Sequence, residues 1–144
     1  MDTASKREGE LKSLFGAELK RRAPDFLVLQ YATNGAPDRE VVGLGHTTRW
    51  EMKHATPDFR SSGDQELMCT RLAAAAHCRY VIWQQRGGIK KTMIVHPREV
   101  FLMGQKRRTS KPGVVWSWDL NAEAWCVGFD MRWLVTKVLK EHGA

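Results

Sequence analysis

Two acidic residues and one lysine in the first half of the chain are spaced for chemistry on a phosphate group. Asp38 follows a Gly-Ala-Pro turn, and Glu51 and Lys53 lie two positions apart in a segment typical of a β-strand. Side chains alternate along a strand, so Glu51 and Lys53 share one face while their apolar neighbours occupy the other. We therefore expect this polar pair to point towards water on one side of a sheet.

A predicted hairpin brings Asp38 close to Glu51. Its strands, 39–42 and 47–53, flank a glycine-bearing turn at 43–46. If the turn is centred on the middle of that stretch, Asp38 lies directly opposite Glu51. Opposed residues have Cβ atoms about 4.5–5.5 Å apart, and two carboxylates at that distance repel each other unless a positive charge lies between them. We expect that charge to be a divalent cation.

Hard carboxylate oxygens with room for water suit Mg²⁺ or Mn²⁺. Such an ion lowers the pKa of a bound water and neutralises a phosphate oxygen, while a nearby lysine orients the water or stabilises the developing negative charge. Asp38, Glu51 and Lys53 together indicate phosphodiester hydrolysis. The alternative is that Lys53 forms only a solvent-exposed cross-strand ion pair. Two other E-x-K copies, Glu10–Lys12 and Glu18–Lys20, fall in a predicted helix, where residues two apart do not share a face.

Capping patterns, hydrophobic spacing and turn residues predict the elements that position these side chains. In chain order they are a helix over 5–22, a strand over 26–32, the hairpin, a loop over 55–63, a helix capped by Ser62, strands over 79–85 and 91–96, a short helix over 97–103, a basic loop over 104–113, a late hairpin formed by 114–120 and 124–129, and a last amphipathic helix capped by Asp130.

The order αβββαβ indicates an α/β fold with a mixed sheet. Pro37-Asp38, twelve intervening residues and Glu51-Met52-Lys53 resemble the signature of the PD-(D/E)xK nuclease superfamily. The resemblance implies a restriction-endonuclease-like core, in which helices flank the mixed sheet. Within that superfamily, "GAPDR", "WEMKH" and a glutamine at the start of the next helix are similar to the VRR-NUC (virus-type replication-repair nuclease) family. This resemblance covers about residues 8–83.

The resemblance implies roles for the hairpin residues. Asp38, Glu51 and the backbone carbonyl of Met52 would bind the metal, and Lys53 would be the catalytic lysine. It also implies an acid from the first helix and a glutamine from the second.

Two helical residues fit those further roles. Glu8 lies on the buried edge of the apolar stripe of the first helix, whereas Glu10 projects away from it, so we expect Glu8 to act on the metal directly or through a water. Gln65 is the only glutamine at the start of the second helix. Each residue also fits a capping box, Glu8 with Ser5 and Gln65 with Ser62, and either role or both remain open.

The formal net charge of +7 and pI of about 9.6 favour a polyanionic partner. The residues that we expect to contact DNA are Arg39, Lys106, Arg107, Arg108 and Lys111. The basic clusters 20–22 and 90–91 either contact phosphates or form a solvated face.

The aromatic and histidine residues allow further alternatives. Trp116, Trp118 and Trp125 either stack on unpaired bases or, as we expect, belong to the core or a subunit interface. His54 follows Lys53 and is expected to be an exposed loop residue rather than a phosphate ligand. No cysteine spacing of the kind that binds a metal occurs, and the odd number of cysteines favours a reducing compartment.

We expect a single nuclease domain over 1–144, with a core over about 5–103 and a C-terminal extension over about 104–144. The absence of a secretion signal and of a membrane-spanning run predicts a cytoplasmic protein. The family resemblance leans towards phage, for which the compartment is the host cytoplasm.

The expected activity is that of a metal-dependent endodeoxyribonuclease on branched DNA, resembling a four-way (Holliday) junction resolvase. Such a junction is two-fold symmetric, so paired cuts predict a homodimer. The alternatives are a restriction- or repair-type nuclease on flap, single-stranded or linear DNA, and a non-catalytic nucleic-acid-binding module on the same scaffold.

Overall fold

The computed structural model describes residues 3–31, 37–106 and 114–144, with side chains for 6–31, 37–103 and 114–144. The elements in these parts of the chain are α1 (Thr3–Arg22), β1 (Leu27–Gln30), β2 (Arg39–Gly43), β3 (His46–Ala55), β4 (Asp58–Arg60), α2 (Gly63–Ala75), β5 (Cys78–Arg86), β6 (Ile89–Val95), α3 (Pro97–Lys106), β7 (Val114–Trp116), a 3₁₀ turn (Ser117–Asp119), β8 (Ala124–Val127) and α4 (Met131–Glu141).

Six strands form one mixed sheet in the order β1-β2-β3-β5-β6-β8. Neighbouring strands are antiparallel except β3 and β5, which are parallel and joined through α2. Helices cover both faces, so the predicted α/β fold is confirmed and is compatible with a restriction-endonuclease-like core. The predicted order αβββαβ is present, with the short β4 inserted before α2.

The hairpin has the predicted register. Leu44 and Gly45 form a two-residue turn with positive φ angles of 54° and 76°. Positive φ at both central positions gives the turn a twist that matches the right-handed twist of the two strands. Gly43 pairs with His46, and Arg39 pairs with Trp50. One step beyond this ladder, Asp38 therefore lies opposite the residue after Trp50.

Each face of the sheet carries its own apolar core. On one face, α1 and α4 pack over β3 and β5, and the buried side chains there include Leu11, Phe15, Trp50, Met52 and Leu134. On the other face, α2 and α3 cover β5 and β6. Because α4 packs against α1 and β8 pairs with β6, the last part of the chain contributes to the same sheet and core.

Three local predictions were wrong. The segment 55–63 was predicted as a loop, but it contains β4, which pairs with β7 in a separate two-stranded sheet. No late hairpin forms, because β7 pairs with β4 whereas β8 completes the edge of the large sheet beside β6. Residues 104–106 extend α3 instead of starting a loop; residues 107–113 lie outside the described part.

Two of the three predicted helix caps are confirmed and one is wrong. Ser62 caps α2, accepting a hydrogen bond from the Gln65 N–H at 3.1 Å, and Asp130 caps α4 through the Trp133 N–H at 3.0 Å. Ser5 is not an N-cap, because α1 already begins at Thr3. Among the described residues, no helix is long and apolar enough to cross a membrane.

Candidate active site

Asp38 and Glu51 interlock across the β2–β3 hairpin. The Asp38 backbone N–H donates to Glu51 Oε1 at 3.2 Å, and the Met52 N–H donates to Asp38 Oδ1 at 3.2 Å. Each carboxylate is thus oriented by the backbone of the other's strand. The predicted opposition of the two acids is confirmed, and its cause is the register that the two-residue turn imposes.

Glu51 is more deeply buried than its pattern indicated. Its side chain points to the sheet face that we expected to be wet, but only 2% of the residue is exposed. Gln65 and Tyr80 explain the difference, because α2 brings Gln65 over this face and the neighbouring β5 places Tyr80 directly beside Glu51. Burial and the nearby Asp38 raise the pKa of Glu51 to about 8, opposed by the ammonium groups of Lys53 and Lys12.

Gln65 holds the second oxygen of Glu51. Its Nε2 donates to Glu51 Oε2 at 2.7 Å, and the hydroxyl of Ser61 donates to the Gln65 Oε1 at 3.3 Å. The Ser62 hydroxyl accepts a hydrogen bond from the Gln65 backbone N–H. The Gln65 side chain therefore contacts Glu51 rather than completing a capping box, while its N–H binds the cap; its functional role stays a prediction.

Glu8 reaches the site from α1. Its Oε1 accepts a hydrogen bond from the His54 N–H at 2.9 Å, and its Oε2 lies 3.1 Å from the Lys12 ammonium. Glu10 is turned away, with half of its side chain exposed and its carboxylate paired with Arg7. The preference for Glu8 over Glu10 agrees with this geometry, and the alternative role of Glu8 as the partner of a Ser5 cap does not.

Lys12 is the site residue that the sequence reasoning missed. Its ammonium lies between two carboxylates, pairing with Asp38 as well as with Glu8. Burial lowers the pKa of Lys12, but its two acidic partners outweigh burial and the pKa is raised. The signal was the i,i+4 spacing of Glu8 and Lys12, which places both on one helix face; the E-x-K pattern with Glu10 concealed it.

Lys53 shares the Glu51 face of β3 and is half-buried. Within the described parts of the chain, Lys53 has no carboxylate within ion-pair distance, although its charge acts on Glu51. Arg39 lies against Asp38, donating to its backbone carbonyl at 2.9 Å with its guanidinium 3.9 Å from the carboxylate. Unlike the ammonium of Lys12, the ammonium of Lys53 is not held between two carboxylates.

His54 is not an exposed loop residue. It lies in β3, is 8% exposed, and its ring contacts Phe129 edge-on with 5.9 Å between centroids. Beside it is an open cavity of about 620 Å³ between the ends of β3 and β5, lined also by Arg7, Pro57 and Arg86. β3 continues beyond the hairpin ladder, and its pairing with β5 carries the strand through His54 to Ala55.

The remaining predicted DNA contacts are mostly not described. Arg107, Arg108 and Lys111 lie outside the described residues, and of Lys106 only the backbone, at the end of α3, is described. Trp118 and Trp125 are not core residues, since they are 40% and 55% exposed, and Trp116 is half-buried; the alternative of a subunit interface stays a prediction. Their strands and turn carry them onto the outer part of the sheet.

The side chains around Asp38 include the types of ligand that a hard divalent cation binds. In the described ranges, no three His, Cys, Asp or Glu side chains are grouped so as to enclose an ion. Asp38 and Glu51 supply the carboxylates, the Met52 backbone carbonyl is the further ligand that the resemblance implies, and Glu8 is paired with the ammonium of Lys12. Carboxylate and carbonyl oxygens are the ligands that Mg²⁺ or Mn²⁺ prefers.

The chain matches no protein-family model and no curated protein sequence. The case for a function consequently depends on the geometry of the site and on the resemblance in its motifs.

Proposed function

We propose that this protein is a metal-dependent endodeoxyribonuclease with the chemistry of the PD-(D/E)xK superfamily, similar to its VRR-NUC family. The observation that carries the proposal is the interlocked pair Asp38 and Glu51, with Lys53 on the same sheet face. Glu8 from α1 and Gln65 from α2 close the cluster from either side. Residues from four separate elements thus surround the carboxylates of Asp38 and Glu51.

In this proposal Asp38, Glu51 and the Met52 carbonyl hold Mg²⁺ or Mn²⁺. When bound, the ion supplies a water of lowered pKa and neutralises charge on the phosphate. Lys53, half-buried and without an acidic partner in the described residues, orients that water and stabilises the negative charge that develops on phosphorus-bound oxygen. Gln65 fixes the Glu51 carboxylate in position.

A purely structural role explains the cluster poorly. A buried carboxylate whose pKa is raised to about 8 costs folding stability at neutral pH, and a glutamine of the same shape would avoid that cost. Strongly perturbed carboxylates in a cluster of unlike charges are typical of functional sites. Glu51 is therefore better explained as a ligand than as a sheet residue.

The DNA substrate is proposed to be branched, with a four-way junction as the first candidate and a homodimer placing two sites on its two symmetric strands. Flap, single-stranded and linear DNA are the competing substrates. The net charge of +7 supports binding to a polyanion in general but does not favour one of these forms.

The test is cleavage of labelled four-way junction, flap, single strand and linear duplex in Mg²⁺ or Mn²⁺, with mapping of the products. We expect Lys53→Ala to abolish cutting while junction binding in EDTA is retained, because Lys53 acts on the reacting phosphate. Lys140→Ala, which removes an exposed lysine on α4, is the matched control and should cut normally.

Three results would overturn parts of the proposal. Cutting by Lys53→Ala at the normal rate removes the catalytic assignment. Tight, salt-dependent binding by the wild-type protein without metal-dependent cutting of any substrate identifies the non-catalytic binding module instead. A strict monomer in solution and on the junction removes the paired-cut version while leaving a nickase.

A further inference from the structure

Four side chains, of which Lys91 is half-buried, form an aromatic and basic surface on the outer strands of the sheet. We call Arg86, Lys91, Trp118 and Trp125 the tryptophan surface. The Arg86 guanidinium lies 4.6 Å from the Trp118 ring centroid, and the Lys91 ammonium lies 5.5 Å from Trp118 and 4.9 Å from Trp125. The cations thus link the two indoles into one continuous patch.

The tryptophan surface lies on the same side of the sheet as the catalytic lysine. Lys53 pairs with Ile82, whereas Gln84, two residues further along β5, pairs with Lys91. Directly paired residues share a face, so Lys53 and Lys91 point the same way. At about 4.8 Å per strand and 3.3 Å per residue, their Cα positions are about 12 Å apart.

Arg86 also connects the tryptophan surface to the cavity beside His54. That cavity of about 620 Å³ is lined by Arg86 on one side and by Arg7 and His54 on the other. The His54 N–H in turn donates to Glu8 in the candidate active site. The cavity thus borders both the candidate active site and the tryptophan surface.

Packing in the apolar core does not explain why Trp118 and Trp125 occupy these positions. Trp118 and Trp125 remain 40% and 55% exposed, and the buried tryptophans of the protein, Trp50 and Trp83, are 1% and 0% exposed. Among the described residues, neither Arg86 nor Lys91 forms an ion pair with a carboxylate. The described surface thus combines unneutralised positive charge with partly exposed indoles, the two features that bind unpaired nucleotides without sequence preference.

We propose that the tryptophan surface binds unpaired bases of a single-stranded arm, with Trp118 and Trp125 stacking on the bases and Arg86 and Lys91 on the backbone. The proposal deepens the proposed nuclease function, on which the link to cleavage rests. Its consequence is a substrate preference: branched DNA with an unpaired arm is favoured over a fully paired junction.

The binding step is tested in EDTA, where no metal-dependent cutting occurs. The probe is labelled oligothymidine of about 12 nucleotides, compared with a duplex of the same length. The variant is Trp118→Leu with Trp125→Leu, which keeps apolar cover but removes both stacking faces. The matched control is Tyr31→Leu, since Tyr31 is 43% exposed beside β1 at the opposite edge of the sheet.

We expect the double variant to bind the single strand at least about fivefold more weakly per lost ring, with duplex binding unchanged. Lys91→Met should lower the slope of log affinity against log salt by about 0.7 on single-stranded DNA. Single-strand affinity of the double variant equal to wild type, or an equal loss on duplex, overturns the proposal. Circular dichroism confirms that the variants fold.

Cleavage distinguishes the two proposals. In Mn²⁺, the wild-type protein should cut a junction with one unpaired arm faster than a fully paired one, and the double variant should lose that preference. Lys53-dependent cutting with no effect of the tryptophans overturns the tryptophan surface and leaves the nuclease. Tryptophan-dependent binding without any cutting retains the surface and removes the nuclease.

Discussion

Replacing Glu51 by glutamine should stabilise the metal-free protein while it removes a metal ligand. Glu51 is 2% exposed, and its pKa is raised from 4.5 to about 8, first by burial and then by Asp38. The folded protein therefore binds this proton more tightly than the unfolded chain does. Well below pH 4.5 both states hold the proton and ionisation of Glu51 costs no stability. As pH rises through 4.5 towards 8 this cost grows, and above 8 it is complete.

The size of this effect follows from the two pKa values. At 1.36 kcal/mol for each tenfold change in proton affinity, the cost is of the order of 3 kcal/mol at pH 7 and about 5 kcal/mol well above pH 8. A glutamine at this position keeps the acceptor for the Asp38 N–H, and the amide of Gln65 can rotate to accept from the new side-chain amide. Most of the cost should therefore be recovered.

The assay is urea unfolding followed by tryptophan fluorescence in EDTA at about pH 5, 7 and 8.5. Glu51→Gln should be more stable than wild type by an amount that increases with pH, and Glu10→Gln, which changes an exposed acid, should follow the wild-type curve. Added Mn²⁺ should stabilise the wild-type protein by mass action but not Glu51→Gln. A difference in stability that stays flat or shrinks from pH 5 to 8.5 would refute the reasoning.

Three further predictions concern the rest of the cluster and the fold. Lys12→Met should lower the free energy of unfolding by roughly 1–2 kcal/mol in EDTA, because it leaves the carboxylates of Glu8 and Asp38 close together; this figure is discounted for their partial exposure. Mn²⁺ should restore most of the lost stability. An unchanged urea midpoint would contradict this prediction. Glu8→Gln should lower the cleavage rate by about a hundredfold or more, whereas Glu10→Gln should not change it, and equal rates for the two variants would remove Glu8 from the site. Leu134→Ala should cost about 2–5 kcal/mol, because Leu134 is 0% exposed against α1, and a loss below 1 kcal/mol would show that α4 is not part of the main core.

Much of the site could be predicted because it depends on local geometry. A two-residue turn determines which residues of a hairpin face each other, so the opposition of Asp38 and Glu51 follows from sequence numbers alone. Strand alternation likewise places Lys53 beside Glu51. The helical periodicity of α1 distinguishes Glu8 from Glu10, although it does not show what Glu8 contacts.

The errors over β4 and the late hairpin have a common physical origin in pairings between distant segments. The late hairpin was expected because 114–120 and 124–129 are neighbours in sequence, but β7 and β8 find better partners in β4 and β6. A strand pairs with the sheet edge at which its apolar face becomes buried, and a short apolar run does not indicate which edge that is.

The sequence by itself determined the α/β class, the hairpin register and the set of acids and lysine that share its polar face, because turns and periodicity act over a few residues. Only the tertiary structure decided that Glu51 is buried under Gln65, that Lys12 lies between Glu8 and Asp38, and where the tryptophans emerge. Burial and charge pairing depend on which elements pack together, and that choice is made by the whole core rather than by any one segment.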